Sequence, residues 1–156
     1  MVEPYDWTDA HIIEVGSRDI NGGVRHLFRR SLYTGLDRVE GPGVDVVADG
    51  ATWAPNELHN TFDLYLCLEV FEHTPEWPQI LYRAWELLRP GGKLLVTAAC
   101  NPRAPHSAVD GCELRPNEYY ENLVPSHLQK ILETIGFRYI TVTTLSRGDV
   151  QTYGAK

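Results

Sequence analysis

Short apolar runs alternate with helical patterns along the chain, and this alternation predicts an α/β protein with a mainly parallel sheet. Five of these runs predict strands, at residues 11–15, 31–37, 44–49, 61–70 and 93–99. The fourth run is almost continuously apolar, which is typical of a central strand that is covered on both faces.

The helical patterns fall between these runs. Val24, Leu27 and Phe28 are spaced to share one face of a helix within residues 23–31. A longer apolar stripe predicts a helix over residues 75–88, which the sequence Arg-Pro-Gly-Gly ends. Residues 100–124 follow the fifth strand as a long polar loop, and loops of this length are usually functional or disordered.

The end of the chain predicts one more helix and a hairpin. Ser126 and Gln129 have the spacing of a capping box, and Gly136 is placed to end that helix. Two runs, residues 137–145 and 149–155, then predict a closing antiparallel hairpin.

Composition narrows the class of protein. The chain has 156 residues, 43% of them hydrophobic and 22% charged, which predicts one globular domain. No apolar run approaches the roughly 20 residues needed to span a bilayer, and the first ten residues do not resemble a secretory signal. We therefore expect a cytoplasmic protein without a membrane partner.

Charge and cysteine content argue against nucleic-acid binding, a disulfide framework and a metal site. The net charge of −7 argues against a nucleic-acid partner, and the basic stretch at residues 25–30 is more simply the solvated face of a helix. Cys67, Cys100 and Cys112 form no C-x-x-C pair, so no disulfide framework is expected. Cys100, Cys112 and the intervening His106 match no common zinc pattern, and we expect no metal.

Carboxylates follow three of the predicted strands. Glu14, Asp37 and Asp49 lie at or near strand ends, and ligands of open α/β sheets bind beyond the carboxyl ends of the strands. Acids at this edge can accept hydrogen bonds from ribose hydroxyls or an exocyclic amine. Each acid alone could instead be a helix cap or a solvated loop residue, but the trio favours a nucleoside-like ligand.

The loop after the first strand argues against a dinucleotide. Arg18 and Asn21 stand where the phosphate-binding pattern G-x-G-x-x-G requires glycine, and Asp19 would face the phosphates. Like charges about 4 Å apart cost roughly 4 kcal/mol at an effective dielectric constant near 20. The dipole of the following helix would stabilise the phosphates by only about 0.3–1 kcal/mol. A nucleoside that carries a positive charge and no phosphate, such as S-adenosylmethionine, escapes this cost.

Five segments carry a resemblance to a known family. They read IIEVGS, YTGLD, VDVVADG, FDLYLCLEVFEHTP and LYRAWELLRPGGKLLVTA. Together they resemble the class I S-adenosylmethionine-dependent methyltransferases of the small "type 11" kind. The resemblance implies a Rossmann-like, doubly wound, mainly parallel seven-stranded sheet with an antiparallel C-terminal hairpin strand. It also implies that residues 1–156 form one compact domain.

The resemblance further implies roles for individual residues. At the methionine end of the cofactor, Gly16 would let the backbone pass close, with Glu14 acting on the amino group directly or through water. The Leu68 carbonyl would accept from the same amino group beside Glu69.

At the adenosine end, Asp37 would hold the ribose hydroxyls and Arg38 would lie against adenine. Asp49 would accept from the adenine amine, and the Gly50 amide would donate to a ring nitrogen.

Two departures from the family pattern stand out. Arg18 and Ile20 replace the later glycines of the usual G-x-G-x-G loop, although Gly22 and Gly23 could restore the turn. Ser17 and Arg18 are still expected to contact the cofactor.

The ten residues before the first strand are too few for the helices that often cover the site, so N-terminal lid helices are expected to be short or absent. The pocket would then be open, or covered by a second copy or another partner chain.

Methyl transfer is an in-line displacement that depends mainly on holding the acceptor close and aligned. A general base is needed only for a hydroxyl or a protonated amine, and the candidates are His73, His106 and Asp110. Tyr119 and Tyr120 could line the acceptor pocket. Each of these residues has an ordinary structural role as the alternative to a role in catalysis or binding. His73 could cap a helix, and the tyrosines could serve only in packing.

The sequence therefore predicts transfer of a methyl group from S-adenosylmethionine to a small-molecule oxygen or nitrogen nucleophile, with S-adenosylhomocysteine as product. A catalytically silent S-adenosylmethionine-binding module that acts with a partner protein is the alternative. A nicotinamide-dependent oxidoreductase is disfavoured by the missing glycines and by Asp19.

Overall fold

The structure is a computed structural model that describes residues 6–156, and its centre is one seven-stranded sheet in the order β3-β2-β1-β4-β5-β7-β6. The strands are β1 (His11–Val15), β2 (Leu32–Asp37), β3 (Val46–Val47), β4 (Phe62–Leu68), β5 (Leu88–Ala99), β6 (Arg138–Thr144) and β7 (Asp149–Ala155). Strands β1 to β5 pair in parallel, and β7 is antiparallel to both β5 and β6. The predicted mainly parallel sheet with an antiparallel C-terminal hairpin is confirmed.

Two α-helices occur in the described part of the chain, α1 (Trp77–Leu87) and α2 (Pro125–Ile135). The predicted apolar stripe is buried in the core, and it consists of Ile80, Leu81, Ala84, Leu87 and Leu88. The helix itself ends at Leu87, and Leu88 is the first residue of β5. Leu128 and Leu132 of α2 are fully buried in the same core. Cys67 of β4 also belongs to this core and is 0% exposed, as the sequence predicted.

The helix predicted over residues 23–31 is wrong, because the chain makes only one 3-10 turn there, at Arg25–Phe28. Leu27 is 68% exposed, whereas Val24 and Phe28 pack on a smaller apolar cluster on the sheet. The physical reason is length. The segment between β1 and β2 also contains the loop at the sheet edge, and the few residues left cannot nucleate a stable helix.

Two predicted boundaries also shift. The N-cap of α2 is Val124, which makes no side-chain capping bond, so the capping box at Ser126 is wrong. Pro125 starts the helix one residue earlier because its fixed φ suits the first helical position. Gly136 does end the helix in the left-handed region, with φ of 115°.

β5 also begins earlier than predicted. It starts at Leu88 directly after α1, and its first residues pair with the chain end through Gly91, Gly92 and Lys156. Among residues 6–156, no helix has the length and apolar character needed to cross a bilayer.

Candidate functional site

A cavity of about 520 Å³ lies at the sheet edge where the parallel strands β1, β2 and β4 end. The ten residues that the sequence assigned to cofactor binding all line this one cavity: Glu14, Gly16, Ser17, Arg18, Asp37, Arg38, Asp49, Gly50, Leu68 and Glu69. Parallel pairing explains their convergence, because it brings the carboxyl ends of separate strands to the same edge.

The turn after β1 keeps the backbone close to the next strands. Gly16 has φ of 80°, and its N–H donates to the Leu36 carbonyl at 2.9 Å. A Cβ atom at Gly16 would lie 2.2 Å from Cγ2 of Val70, so no side chain fits there. The following residue, Ser17, is buried and its amide donates to the same Leu36 carbonyl.

The carboxylate of Asp37 is held by the backbone around it. Its Oδ2 accepts from the Arg18 amide at 3.3 Å, and its Oδ1 accepts from the Val39 amide at 2.9 Å. Each carboxylate oxygen can accept a further bond. Asp37 can therefore stay fixed while it binds two neighbouring hydroxyls.

Arg38 forms a bridge between two carboxylates, Asp49 and Glu76, at the edge of the cavity. Its Nη2 lies 2.7 Å from Oδ2 of Asp49 and 2.9 Å from Oε2 of Glu76. Oδ1 of Asp49 accepts from the Ala51 amide at 2.8 Å. Both oxygens of Asp49 are thus engaged, and an adenine amine placed there would share this carboxylate with Arg38.

Glu14 is a buried carboxyl below the glycine turn. It is 6% exposed, and its Oε2 accepts from the Tyr33 hydroxyl at 2.8 Å. Burial raises the pKa of Glu14, and the Tyr33 hydrogen bond and the charge of Arg25 offset this only in part. The folded protein therefore bears an energetic cost for keeping Glu14 ionised.

Replacing Glu14 with Gln is expected to remove that cost while keeping an acceptor for Tyr33. A raised pKa means that the folded state binds the proton more tightly than the unfolded state, so stability falls as pH rises above the ordinary value of 4.5. The variant should therefore gain stability relative to the parent protein as pH increases from about 4 to 7.

Denaturant titrations at several pH values measure this difference. The exposed Glu57→Gln serves as the control and should show no such trend. A stability difference between Glu14→Gln and the parent that stays constant with pH would contradict the prediction.

The far end of the cavity carries two histidines. The rings of His73 and His106 lie 5.0 Å apart, and Tyr120 packs on both at 5.5 and 5.0 Å. Burial, followed by the charge of His106, lowers the pKa of His73 to about 4. His73 is therefore neutral at physiological pH and can accept a proton or bind a cation.

A buried acid that the sequence analysis did not single out lies beside this pair. Glu72 is 0% exposed, and its Oε1 accepts from the Ala99 amide at 3.1 Å and lies 3.9 Å from Nε2 of His106. Burial, followed by the charge of Glu69, raises its pKa well above the usual range. Glu69, Glu72 and His73 were visible in the sequence at residues 69–73, but the 3-10 turn at Phe71–His73 that buries Glu72 was not.

Arg103 lines the cavity and was also missed by sequence reasoning. Its Nη1 lies 2.8 Å from Oε2 of Glu69 and 2.5 Å from Oδ1 of Asp149, which also pairs with Arg147. The long loop thus reaches the end of β4 on one side and the start of β7 on the other. Nothing in the spacing of these residues indicates that they meet.

Three predicted residues lie outside the lining of the cavity. Asp110 pairs with Arg115 at 2.5 Å and accepts from the Cys112 amide, and the Tyr119 hydroxyl donates to Glu121. Tyr120 does not line the cavity either, but it contacts both histidines that do.

The chain is similar to known methyltransferases over most of its length. A family model described as "Methyltransferase domain" matches residues 4–142. The ubiquinone biosynthesis O-methyltransferase of Psychrobacter arcticus is 29% identical over 137 residues, which are 83% of this chain and 50% of that protein. Its counterpart in Pseudomonas entomophila is 27% identical over 129 residues, 69% of this chain and 56% of that protein. The chain thus spans about half the length of these relatives.

Solved structures share the fold. An S-adenosylmethionine-dependent methyltransferase from Mesorhizobium loti superposes with a TM-score of 0.73 at 13% identity, covering 98% of this chain and 94% of that one. The Burkholderia thailandensis 1,6-didemethyltoxoflavin-N1-methyltransferase, with its substrate and S-adenosylhomocysteine bound, gives 0.71 at 16% identity, covering 96% and 72%. These neighbours confirm the predicted Rossmann-like fold class.

Proposed function

The chain belongs to the methyltransferase-domain family, and on that basis we propose that it transfers the methyl group of S-adenosylmethionine to an oxygen or nitrogen atom of a small molecule. The observation that carries this proposal is the convergence of all ten predicted cofactor residues on one cavity that ends at His73 and His106. One sequence relative is named an O-methyltransferase and one structural neighbour an N-methyltransferase, which supports either oxygen or nitrogen as the atom that accepts the methyl group.

The charges around the cavity support this cofactor over a dinucleotide. Glu14, Asp19, Asp37, Asp49 and Glu69 line it. Two arginines of the lining are already paired with carboxylates, Arg38 with Asp49 and Glu76, and Arg103 with Glu69 and Asp149. Arg18 is the third arginine of the lining, so the five carboxylates still outnumber the arginines. A pyrophosphate would meet net negative charge, whereas the sulfonium and amino group of S-adenosylmethionine are attracted to it.

In the reaction, a lone pair of the acceptor forms the new bond to the methyl carbon as the carbon–sulfur bond breaks. The sulfur keeps the electron pair and loses its charge, and S-adenosylhomocysteine leaves. When the acceptor is a hydroxyl or a protonated amine, its proton must also leave. His106 is the lining histidine that we assign to accept it, because a pKa of about 4 makes His73 a weak proton acceptor at physiological pH. Asp110 and Tyr119 do not enter this proposal because their polar atoms are engaged outside the cavity lining.

Replacing Asp37 with Ala is expected to weaken S-adenosylmethionine binding by about 1–3 kcal/mol, roughly a 5- to 150-fold rise in Kd, because the ribose hydroxyls lose a charged acceptor. Isothermal titration calorimetry measures the change. Glu40→Ala is the matched control, since Glu40 is an exposed acid three residues away that does not line the cavity. An unchanged Kd in Asp37→Ala would refute the assigned role, and micromolar binding of NAD alone would refute the choice of cofactor.

Turnover needs its own measurement. Release of S-adenosylhomocysteine should be followed with a panel of phenol, alcohol and amine acceptors. Release that depends on one of them would support an enzyme. Tight cofactor binding without release from any acceptor would instead favour the silent binding module that acts with a partner protein.

A further inference from the structure

We propose that Glu72, His73 and His106 form a binding site for one divalent transition-metal ion of the zinc type. Each residue offers one ligand atom, and these three atoms lie within 4.8 Å of one another. Tetrahedral zinc with nitrogen and oxygen ligands at its usual bond lengths places ligand atoms about 3.4 Å apart. Closing a separation of 4.8 Å to this value takes a relative movement of about 1.4 Å, which rotation of two side chains can supply.

Two polar atoms of the cluster have no partner among the described residues. Oε2 of Glu72 and Nδ1 of His73 are both buried without a hydrogen bond, and Glu72 is 0% exposed. Buried polar atoms are nearly always satisfied in native proteins, because an unsatisfied one costs roughly 1–3 kcal/mol. A metal ion would satisfy the carboxylate and at least one imidazole at once.

The fold brings the three ligands together from two segments. The 3-10 turn Phe71–His73 presents Glu72 and His73 directly after β4. The long loop supplies His106, and its two sides are tied down by Arg103 on Glu69 and by the Glu121 amide, which donates to the Glu72 carbonyl at 2.9 Å. The cluster is therefore held in place from both sides.

The donor set indicates which ions would fit. Two imidazoles and one carboxylate suit Zn²⁺, Co²⁺, Ni²⁺ or Fe²⁺, whereas Mg²⁺ and Ca²⁺ prefer an all-oxygen shell. Three protein ligands leave a fourth position open, as in catalytic metal sites. Because His73 and His106 line the cavity, that position would face it.

The open position gives the metal a function beside the proposed methyl transfer. An acceptor hydroxyl bound there would lose its proton more readily, because the cation stabilises the oxyanion. Metal binding itself does not depend on the proposed function and can be tested without S-adenosylmethionine.

The test uses the full chain after chelator treatment and removal of the chelator. Titration with Zn²⁺ by calorimetry should give one ion per chain, and Co²⁺ should give the visible absorption of a four-coordinate site. His106→Ala and Glu72→Gln should each weaken Zn²⁺ binding at least about 100-fold, because each removes a ligand. His26→Ala is the matched control, since His26 is an exposed histidine outside the cluster and should bind as the parent does.

Absence of stoichiometric Zn²⁺ binding in the parent chain, or binding that His106→Ala leaves unchanged, would overturn the proposal. Circular dichroism establishes that each variant is folded. If Glu72→Gln fails to fold, His106→Ala decides the question, since it lies on the loop and not in the core. Calorimetry with S-adenosylmethionine on the metal-free chain keeps failure of the cofactor proposal separate from failure of the metal proposal.

Discussion

Replacing Gly35 with Ala is expected to lower the free energy of unfolding by about 3 kcal/mol or more, at or above the upper end of the range for overpacking a core. A Cβ atom at Gly35 would lie 2.0 Å from the Gly43 carbonyl oxygen and 2.7 Å from Oγ of Ser17. The first of these is a backbone atom, so no rotamer change relieves the clash. The loop after β2, the turn after β1 and the sheet would have to separate.

The same substitution should also weaken S-adenosylmethionine binding, because Ser17 lines the cavity and would have to move. Denaturant unfolding measures the stability and calorimetry the binding. Gly23→Ala is the matched control, since the nearest atom to its new Cβ is a side-chain oxygen of Asp19 at an ordinary 3.7 Å. If Gly35→Ala proves as stable as Gly23→Ala, this account of the junction between the three segments is wrong.

Replacing Asp149 with Asn is expected to cost about 2–3 kcal/mol of stability at pH 7, as loss of hydrogen bonds between charged groups does. The Asp149 side chain is only 6% exposed and accepts from Arg103 and Arg147. The expected cost is below the 3–5 kcal/mol typical of a broken, fully buried pair, because both arginines retain contact with water.

The effect of this substitution should also depend on pH. Burial by itself raises the pKa of Asp149, but the hydrogen bonds from Arg147 and Arg103 outweigh it and hold the pKa below the usual 3.8. A lowered pKa in the folded state contributes stability that is present above the unfolded value and is lost as pH falls through the folded value. The difference between the parent and Asp149→Asn should therefore shrink in strong acid.

Unfolding curves at pH 7 and at progressively lower pH measure both effects. Asp110→Asn is the control, because Asp110 also pairs with an arginine but is exposed to solvent, and exposed pairs contribute little. Equal stability of the parent and Asp149→Asn at pH 7, or a difference that persists unchanged in acid, would show that the Arg103–Asp149 contact does not stabilise the fold.

The cofactor half of the candidate site could be predicted from the sequence because its residues belong to local patterns. Glu14, Asp37 and Asp49 each follow an apolar run, and parallel pairing brings such positions to one edge. The acceptor half could not be predicted in the same way. Arg103 meets Asp149 across 46 positions of sequence, and this contact depends on β7 inserting between β5 and β6.

The sequence alone determined the number and directions of the strands, the burial of α1 and the sheet edge at which the proposed cofactor residues gather, because hydrophobic periodicity and strand-end chemistry are local properties. Only the tertiary structure decided that Glu72 is buried, that His106 approaches it and that the predicted helix after β1 is a single turn. These outcomes depend on which distant segments compete for the same space, and spacing along one chain carries no information about that competition.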